Sequence, residues 1–542
     1  MDARPTYLRT RLSLMFFLQF FIWGGWWVPA ATYVSKQLGF TEDQFSWIMA
    51  TIPLGAIVAP VLVGYVADRW FATQYVLAAL HVIGGVCLLV AGSLGAFGWM
   101  FVILLINTLC FMPTLALCNS LAFRNLDDPN KFPRIAMFGT IGWIVAGLPS
   151  LIVWLAGAEV PWERLPYFFY MTGAVELILA GYCLSLPHTP PKPASESGGD
   201  VFGLAALKLL KQPAFLLFAV CVFLVSIPVN FYFTSFNVML TEGERPAPTA
   251  LMTLGQVTEA FVMFGMAAFI AAVGLKSILA LGMLVWAFRF LLFASNALPL
   301  ILLGIIVHGF GYVFVYVGSY IYVDKKAPRD LRASAQSLIA FLILGVGMLV
   351  GTKIAGWTLA EFPAAVSKMT AVKEGETEPT NKAPIPTWAE LADKDKLGTN
   401  DQGQISREGI HAVGTEGLRI GEYTYSEREL LAALLAADNL KELRTRGDFR
   451  SIMPPQDEIT VTRADWIRAK LHHWTPYWLW PALAAAAIGI VYWFGSMATP
   501  EPPDEVAPAP PPEEKPKAEP PPVPPQAPPA SESPGEAPPP SP

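Results

Sequence analysis

The segment Leu12–Tyr33, LSLMFFLQFFIWGGWWVPAATY, decides the fold class, because it is long enough to cross a bilayer and has no charged side chain. A transmembrane α-helix needs about 20 consecutive apolar residues. The segment lacks the small-residue cleavage site of a secretory signal peptide, and more apolar runs of similar length follow it. It is therefore predicted to be the first of many membrane-spanning helices.

The composition of the whole chain agrees with this reading. Of its 542 residues, 54% are hydrophobic and 15% are charged, whereas soluble domains carry roughly 25% charged residues. The mean hydropathy is +0.44. We predict an all-α integral membrane protein with twelve spans, near residues 12–34, 45–66, 74–95, 99–122, 135–157, 167–187, 213–234, 249–273, 276–294, 298–322, 332–358 and 476–497.

The loop charges predict the orientation, since lysine and arginine are enriched in short cytoplasmic loops. Basic residues precede the first span and follow the second, fourth, sixth and tenth; they are Arg4, Arg9, Arg11, Arg69, Arg124, Lys131, Arg134, Lys192, Lys208, Lys211, Lys325, Lys326, Arg329 and Arg332. The loops on the opposite side contain few lysines and arginines, and each of these lies near acidic residues. Both termini are therefore predicted to be cytoplasmic, in a multi-pass protein of the cytoplasmic (inner) membrane.

The polar stretches divide the chain into two six-helix halves, the layout of transporters built from two parallel repeats. We predict an N-terminal half at 1–187, a cytoplasmic central loop at 188–212, helices seven to eleven at 213–361, an external polar insertion at 362–475, helix twelve at 476–498 and a tail at 499–542. In the insertion, Ser426–Lys441 is predicted to form an amphipathic helix capped by Ser426. The proline-rich tail cannot bury a core and is predicted to be disordered.

Ionisable residues inside predicted spans are rare, and each is a candidate functional group because its burial in lipid is costly. Glu259 lies centrally in helix eight, with Gln256 on the same helical face. This polar pair is predicted to line a substrate cavity, although a hydrogen-bonded clamp between helices is an alternative. Glu176 in helix six fits either role, and Arg289 in helix nine is interpreted as structural.

Two further patterns predict functional positions. His308, Tyr312 and Tyr316 recur every four residues in helix ten, which suits either packing or a cavity wall that stacks on a flat ring. Gly64, Asp68 and Arg69 follow helix two, where a glycine, an acid and a base are suited to a cytoplasmic gate. An ordinary positively charged inner loop is the alternative.

The sequence contains no pattern of an enzyme: there is no Walker lysine loop, no H-E-x-x-H and no G-x-S-x-G. The five cysteines all lie in apolar runs, and none forms a C-x-x-C pair. They are interpreted as small buried hydrophobic residues, not as disulfides or metal ligands. We expect no cofactor, no metal and no nucleic-acid partner, and a monomer in the lipid bilayer.

Several motifs resemble those of the nucleoside:proton symporter family, nucleoside permeases of the major facilitator superfamily. The resemblance covers about residues 12–358. It is carried by Phe17–Gly24 (FLQFFIWG), Gly64–Arg69 (GYVADR), Ile106–Leu115 (INTLCFMPTL), Phe138–Trp143 (FGTIGW), Leu186–His188 (LPH), Gln256–Glu259 (QVTE), Trp286–Phe290 (WAFRF) and Arg332–Gln336 (RASAQ). It implies the major facilitator fold and proton-coupled nucleoside import by alternating access.

By position, the resemblance also implies a substrate site. Gln256 and Glu259 match the family's nucleoside-binding glutamine and glutamate, and Thr140 and Trp143 match its helix-five threonine and aromatic residue. The remaining implied positions are Asn230, His308 and Tyr312. Nucleosides and protons are thus the expected solutes, with Glu259 or Glu176 carrying the proton.

Three positions depart from the family pattern. An expected arginine is Ala136, with Arg134 two residues earlier; an expected asparagine is Phe233; and an expected acid in helix ten is Val313. These changes leave open another small polar solute, such as a sugar or a peptidoglycan fragment, and an uncoupled facilitator. A non-transporting receptor or scaffold that works through the insertion and the tail is a further alternative.

Overall fold

In the computed structural model, the chain is mostly helical. The structure describes residues 4–62, 71–126, 131–158, 160–191, 204–328, 331–366, parts of 369–436, and 460–499. The predicted tail lies outside these residues. So does the C-terminal part of the predicted helix Ser426–Lys441.

In the described part of the N-terminal half there are seven α-helices. They are α1 Arg4–Thr32, α2 Glu42–Met49, α3 Thr51–Leu62, α4 Thr73–Ala91, α5 Phe97–Asn125, α6 Phe132–Leu155 and α7 Tyr167–Cys183, with a π-helical turn at Tyr33–Gln37. Helix α1 packs on α6 and α7, and α5 packs on α3 and α4. These helices are apolar on most faces, which is typical of elements that contact both lipid and neighbouring helices.

The C-terminal half follows after a short 3-10 helix at Leu204–Lys211. Its first helices are α8 Pro213–Glu242, α9 Pro248–Val273, α10 Leu275–Ala294, α11 Leu298–Ile306, α12 His308–Tyr312, α13 Gly318–Lys326, α14 Arg332–Ala340 and α15 Met348–Glu361. Two π-helical turns, Val313–Val317 and Phe341–Gly347, interrupt the tenth and eleventh predicted spans. The halves meet where α1 contacts α8, α6 contacts α9 and α2 contacts α15.

The predicted number of twelve spans is not confirmed. Among the described residues, nine helices are long and apolar enough to cross a membrane, and a tenth span is possible if Leu298–Ile306 and His308–Lys326, which meet at 42°, count as one. Tyr167–Cys183 is apolar but shorter. The second predicted span, 45–66, is divided between α2 and α3, and its last residues lie beyond the described part of the chain.

The insertion contains a small α/β unit with its own apolar core. One antiparallel sheet has the strand order β2-β1-β5-β4, and a second pairs β3 with β6. The strands are β1 Met369–Lys373, β2 Pro379–Ala383, β3 Gln404–Ser406, β4 Leu418–Ile420, β5 Tyr423–Tyr425 and β6 Thr460–Thr462; the helices are α16 Trp388–Ala392, α17 at 427–434 and α18 Arg463–Lys470. The backbone N–H of Glu429 donates to Ser426 Oγ, so the described start of α17 has the predicted cap.

The last helix, α19 Trp474–Ala498, returns to the membrane part and packs against α8 and α10. The insertion therefore lies between the C-terminal end of α15 and the start of α19. We call the helix ends on this side the insertion-side ends. They include the ends of α1 and α8 and the starts of α2 and α9.

Candidate substrate site

A cavity of about 120 Å³ lies where the two halves meet. Both halves contribute side chains to its wall. They are Phe20, Trp23, Trp27, Thr140, Trp143, Asn230, Phe233, Gln256, Glu259, His308, Tyr312, Tyr316, Ile343, Leu344 and Met348.

All seven residues that were predicted to bind substrate line this one cavity. Helix α6 supplies two of them, α8 one, α9 two and α12 two; in that order they are Thr140, Trp143, Asn230, Gln256, Glu259, His308 and Tyr312. The structure therefore brings together positions that are up to 172 residues apart in the sequence. Their role as substrate ligands remains a prediction.

Several polar groups of the wall lack a partner within the described part of the protein. Gln256 Oε1, Asn230 Oδ1 and His308 Nδ1 are buried and accept or donate no hydrogen bond there. Glu259 is half-buried, and its carboxylate has no ionic or hydrogen-bonding partner among the described residues. Buried polar groups are normally satisfied, so unpaired ones mark a place where a ligand or water supplies the missing bonds.

Aromatic rings form most of the remaining wall. Trp23 and Trp143 contact edge to face with centroids 5.5 Å apart. In the tenth predicted span, His308 stacks on Tyr312 at 5.7 Å, and Tyr312 stacks on Tyr316 at 4.7 Å. These three side chains thus form the continuous row that their spacing predicted. Such a wall can stack on a flat ring while its polar tips form hydrogen bonds.

Close packing of α9 against α12 places the Glu259 backbone beside Gly309. A Cβ atom on Gly309 would lie 2.5 Å from the Glu259 backbone nitrogen, so only glycine permits this approach. The Gly309 N–H also donates to Thr258 Oγ1 at 3.3 Å. The tenth span bends at this point, between α11 and α12.

Some wall residues were not identified from the sequence. Phe20, Trp27 and Met348 are examples. In the sequence, such a side chain within an apolar run looks the same as one that faces lipid or packs against a neighbouring helix. Trp27 follows the motif residue Trp23 by four positions, which places both on one face of α1. That spacing was the available signal for Trp27.

Glu176, the other proposed proton carrier, lies away from the cavity. It is fully buried between α4, α5 and α7, where its Oε1 lies 3.2 Å from His81 Nδ1 and its Oε2 accepts from Asn107 Nδ2 at 3.4 Å. His81 was not singled out from the sequence. The structure thus places Glu176 in a polar cluster inside the N-terminal half.

Arg289 is also absent from the cavity wall. Its guanidinium is fully buried, donates from Nε to the Gly304 carbonyl at 2.7 Å, and lies over the rings of Trp286 and Tyr232 at 4.3 and 4.5 Å. The cation–π contact with Tyr232 joins α10 to α8, and the hydrogen bond to Gly304 joins α10 to α11. The geometry agrees with the structural interpretation of Arg289.

Of the three positions that depart from the family pattern, one lies in the cavity wall. Phe233 lines the cavity and stacks on Trp27 at 5.7 Å. Val313 is fully buried in a small apolar cluster, and neither it nor Ala136 belongs to the wall. Arg134 is exposed.

The predicted cytoplasmic gate residues Gly64, Asp68 and Arg69 lie outside the described residues. On the insertion side, by contrast, described polar contacts join the halves. Lys36 Nζ lies 2.5 Å from Glu242 Oε1, and Lys353 Nζ lies 2.7 Å from Asp43 Oδ1.

A second cavity, of about 380 Å³, borders the Lys36–Glu242 contact, because both residues belong to its wall. Its wall includes Glu163 and Arg164 of the N-terminal half, Arg245 of the C-terminal half, and Ile385 and His472 of the insertion. We call it the vestibule. The insertion therefore covers the approach to the insertion-side contacts.

The fold and the site define a membrane transporter of the major facilitator type. A crystal structure of the nucleoside transporter NupG superposes with a TM-score of 0.60 at 27% sequence identity, over 66% of this chain and 92% of that one. The chain is 39% identical over 356 residues to the YegT protein of Escherichia coli (strain K12), which is 64% of this chain and 83% of YegT. It is 30% identical over 374 residues to the xanthosine permease of the same organism, 65% of this chain and 88% of that protein.

Residues 7–370 match the family described as Nucleoside H+ symporter. The chain belongs to this family. The match ends at the start of the insertion, so most of the insertion, α19 and the tail lie beyond it.

Proposed function

We propose that the protein imports nucleosides across the cytoplasmic membrane by alternating access, coupled to protons. The observation that carries this proposal is the convergence of the seven predicted residues on one cavity between the halves. Transporters of this architecture bind substrate at that interface. The nucleoside transporter NupG and the xanthosine permease support the choice of solute.

The chemistry of the wall suits a nucleoside. The flat base stacks against Trp143 and the Tyr312 ring, while ribose hydroxyls donate to the Glu259 carboxylate. Gln256 offers both a donor and an acceptor, so it can bind either a hydroxyl or a base edge. No basic side chain other than His308 belongs to the wall of this cavity in the described part of the chain, which disfavours phosphorylated substrates.

Glu259 is the proposed proton carrier, since it is the one carboxylate among the described wall residues and has no partner there. Protonation would remove an unpaired buried charge and so favour movement of the loaded site. Glu176 is the second candidate, but His81 and Asn107 already satisfy its carboxylate.

The proposed cycle alternates access between the two membrane faces. With both termini cytoplasmic, the insertion side faces outward, and the Lys36–Glu242 and Lys353–Asp43 contacts close the cavity on that side. The proposed orientation rests on the loop charges.

A second candidate function is an uncoupled facilitator for nucleosides or another small polar solute. Val313, Ala136 and Phe233 favour it, because they remove polar groups that the family pattern expects.

Uptake into proteoliposomes tests both candidates. Radiolabelled uridine and adenosine are supplied with and without an inwardly directed proton gradient, and a panel of sugars competes. Gradient-driven accumulation that sugars do not inhibit supports the first proposal. Nucleoside uptake that only equilibrates supports the facilitator. Absence of nucleoside uptake, or nucleoside uptake that a sugar abolishes, contradicts a nucleoside-specific transporter.

A further inference from the structure

Glu242, the last residue of α8, is a buried carboxylate with an unusually full set of partners. Its side chain is 6% exposed. One oxygen contacts Lys36 Nζ at 2.5 Å and His472 Nδ1 at 2.6 Å. The other accepts from the His472 backbone N–H at 3.1 Å and from Trp474 Nε1 at 2.8 Å.

These partners come from different parts of the molecule. Lys36 belongs to the N-terminal half, so its contact with Glu242 crosses between the halves. His472 and Trp474 lie where the insertion joins α19, and α19 packs against α8 itself. Separation of the halves therefore breaks the contact with Lys36 and leaves the other contacts in place.

The Lys36–Glu242 contact is the outermost of three layers that join α8 to α1 and to the π-helical turn that follows α1. The innermost is the Trp27–Phe233 stack in the cavity wall. The next is the hydrogen bond from Thr32 to Asn237. Successive layers are four or five residues apart, about one helical turn. Opening the cavity to the vestibule requires all three layers to separate.

The outermost layer is the costly one to break, because a buried carboxylate that loses its cation is strongly disfavoured unless other donors remain. Here the donors that remain are those of His472 and Trp474. Since an ionised carboxylate only accepts hydrogen bonds, Nδ1 of His472 must carry the hydrogen in this contact.

We propose that His472 is a positioning residue for gate opening: together with Trp474, it holds the Glu242 carboxylate when Lys36 moves away. The insertion would thereby lower the cost of opening the cavity toward the vestibule. This inference rests on the proposed transport function, because it presumes that the halves separate on the insertion side.

The junction that carries His472 is itself well anchored. Lys470 Nζ lies 2.9 Å from Glu244 Oε1, just beyond the end of α8. Burial lowers the pKa of Lys470, whereas the neighbouring Glu244 acts in the opposite direction. The His473 backbone N–H donates to the Phe362 carbonyl at 3.1 Å, which joins the two ends of the insertion.

The test measures the separation of the halves directly. Nitroxide labels are placed on Trp154→Cys in the N-terminal half and Ala297→Cys in the C-terminal half, both exposed at insertion-side ends. The native cysteines are buried, apart from the partly buried Cys110. Distances between the two labels are measured by double electron–electron resonance in proteoliposomes without nucleoside. The result therefore does not depend on which solute is carried.

We expect His472→Ala to lower the ratio of the long-distance population to the short-distance population about 10-fold. A change of this size corresponds to the loss of one hydrogen bond to a charged group in the open state. His472→Asn, which keeps a donor near the Nδ1 position, should restore the ratio. His473→Ala is the matched control, because the His473 side chain is exposed, and it should change nothing.

A double-mutant cycle separates positioning from a general structural role. In a Lys36→Met background the gate contact is absent, so His472→Ala should no longer change the ratio. The proposal is overturned if His472→Ala leaves the ratio unchanged or raises it, or if its effect is equally large in the Lys36→Met background.

Discussion

Thr32 Oγ1 donates a 2.6 Å hydrogen bond to Asn237 Oδ1 and so joins α1 of one half to α8 of the other. Both side chains are buried. Asn237 Nδ2 in turn donates to Thr249 Oγ1 at 3.2 Å, at the start of α9. The contact between the halves thus continues through one amide into a third helix.

Replacing Thr32 by valine should weaken closure on the insertion side. The substitution keeps the shape but leaves Asn237 Oδ1 without its donor, which costs the closed arrangement about 1–3 kcal/mol. We expect a larger long-distance population between labels at Trp154→Cys and Ala297→Cys. Thr32→Ser keeps the hydroxyl and serves as the control. A closed population unchanged by Thr32→Val would show that this hydrogen bond contributes nothing to closure.

Replacing Gly309 by alanine should disrupt the site without removing any polar side chain. The new Cβ would lie 2.5 Å from the Glu259 backbone nitrogen and 2.5 Å from the Thr258 carbonyl carbon. Neither backbone atom can rotate away, so α9 and α12 must separate, at about 1–3 kcal/mol. We expect a lower melting temperature in detergent and weaker uridine binding by calorimetry.

Gly181→Ala is the matched control for this substitution. Gly181 lies in α7, and a Cβ there would meet nothing within 4 Å. Alanine is also the better helix former, so this variant should keep or raise the melting temperature. Equal behaviour of the two alanine variants would refute a special role for the contact between α9 and α12.

The sequence predicted the membrane fold because long apolar runs are easily recognised, and it singled out some candidate site residues because charged groups are rare in such runs. A carboxylate in an apolar span such as Glu259 is conspicuous, since lipid penalises it. The row of His308, Tyr312 and Tyr316 follows from helical spacing alone. Helical spacing therefore placed these three rings on one face of their helix, whereas Thr140, Trp143 and Asn230 were assigned only through the family resemblance.

The sequence could not predict contacts that depend on tertiary packing. His81 is a single histidine in an apolar run. Nothing in the sequence around it indicates that its Nδ1 lies 3.2 Å from the carboxylate of Glu176, 95 residues later. Likewise, Lys36 and Glu242 are ordinary loop-flanking charges until α1 and α8 are packed together. The sheets of the insertion were missed because their strands are only three to five residues long.

The body of the insertion should be removable without loss of membrane insertion. The Val366 backbone N–H donates to the Ala469 carbonyl at 2.8 Å, so a short glycine-serine linker can replace residues 367–468. The insertion has its own apolar core, which supports independent removal. We expect the shortened protein in the membrane fraction, monodisperse by size-exclusion chromatography. Aggregation, or loss from the membrane, would mean that the remaining helices need the insertion to fold.

Replacing Glu259 by glutamine should separate substrate binding from proton coupling. Glutamine keeps the shape and the hydrogen-bonding capacity of the side chain but cannot ionise. The variant is therefore expected to lose accumulation driven by a proton gradient while it keeps some equilibrative nucleoside exchange. Both quantities are measured with radiolabelled uridine in proteoliposomes, as uphill uptake under a gradient and as counterflow without one.

Glu176→Gln is the comparison variant, because Glu176 is the other candidate for the coupling proton. Glu176 contacts His81 and Asn107 inside the N-terminal half and does not line the cavity. If Glu259 carries the proton, Glu176→Gln should lower the melting temperature through the lost contact with His81 but keep uphill uptake. Unchanged uphill uptake in Glu259→Gln, together with its loss in Glu176→Gln, would move the coupling proton to the His81–Glu176 cluster. Loss of counterflow as well as uphill uptake in Glu259→Gln would instead make the carboxylate a ligand that binding itself requires.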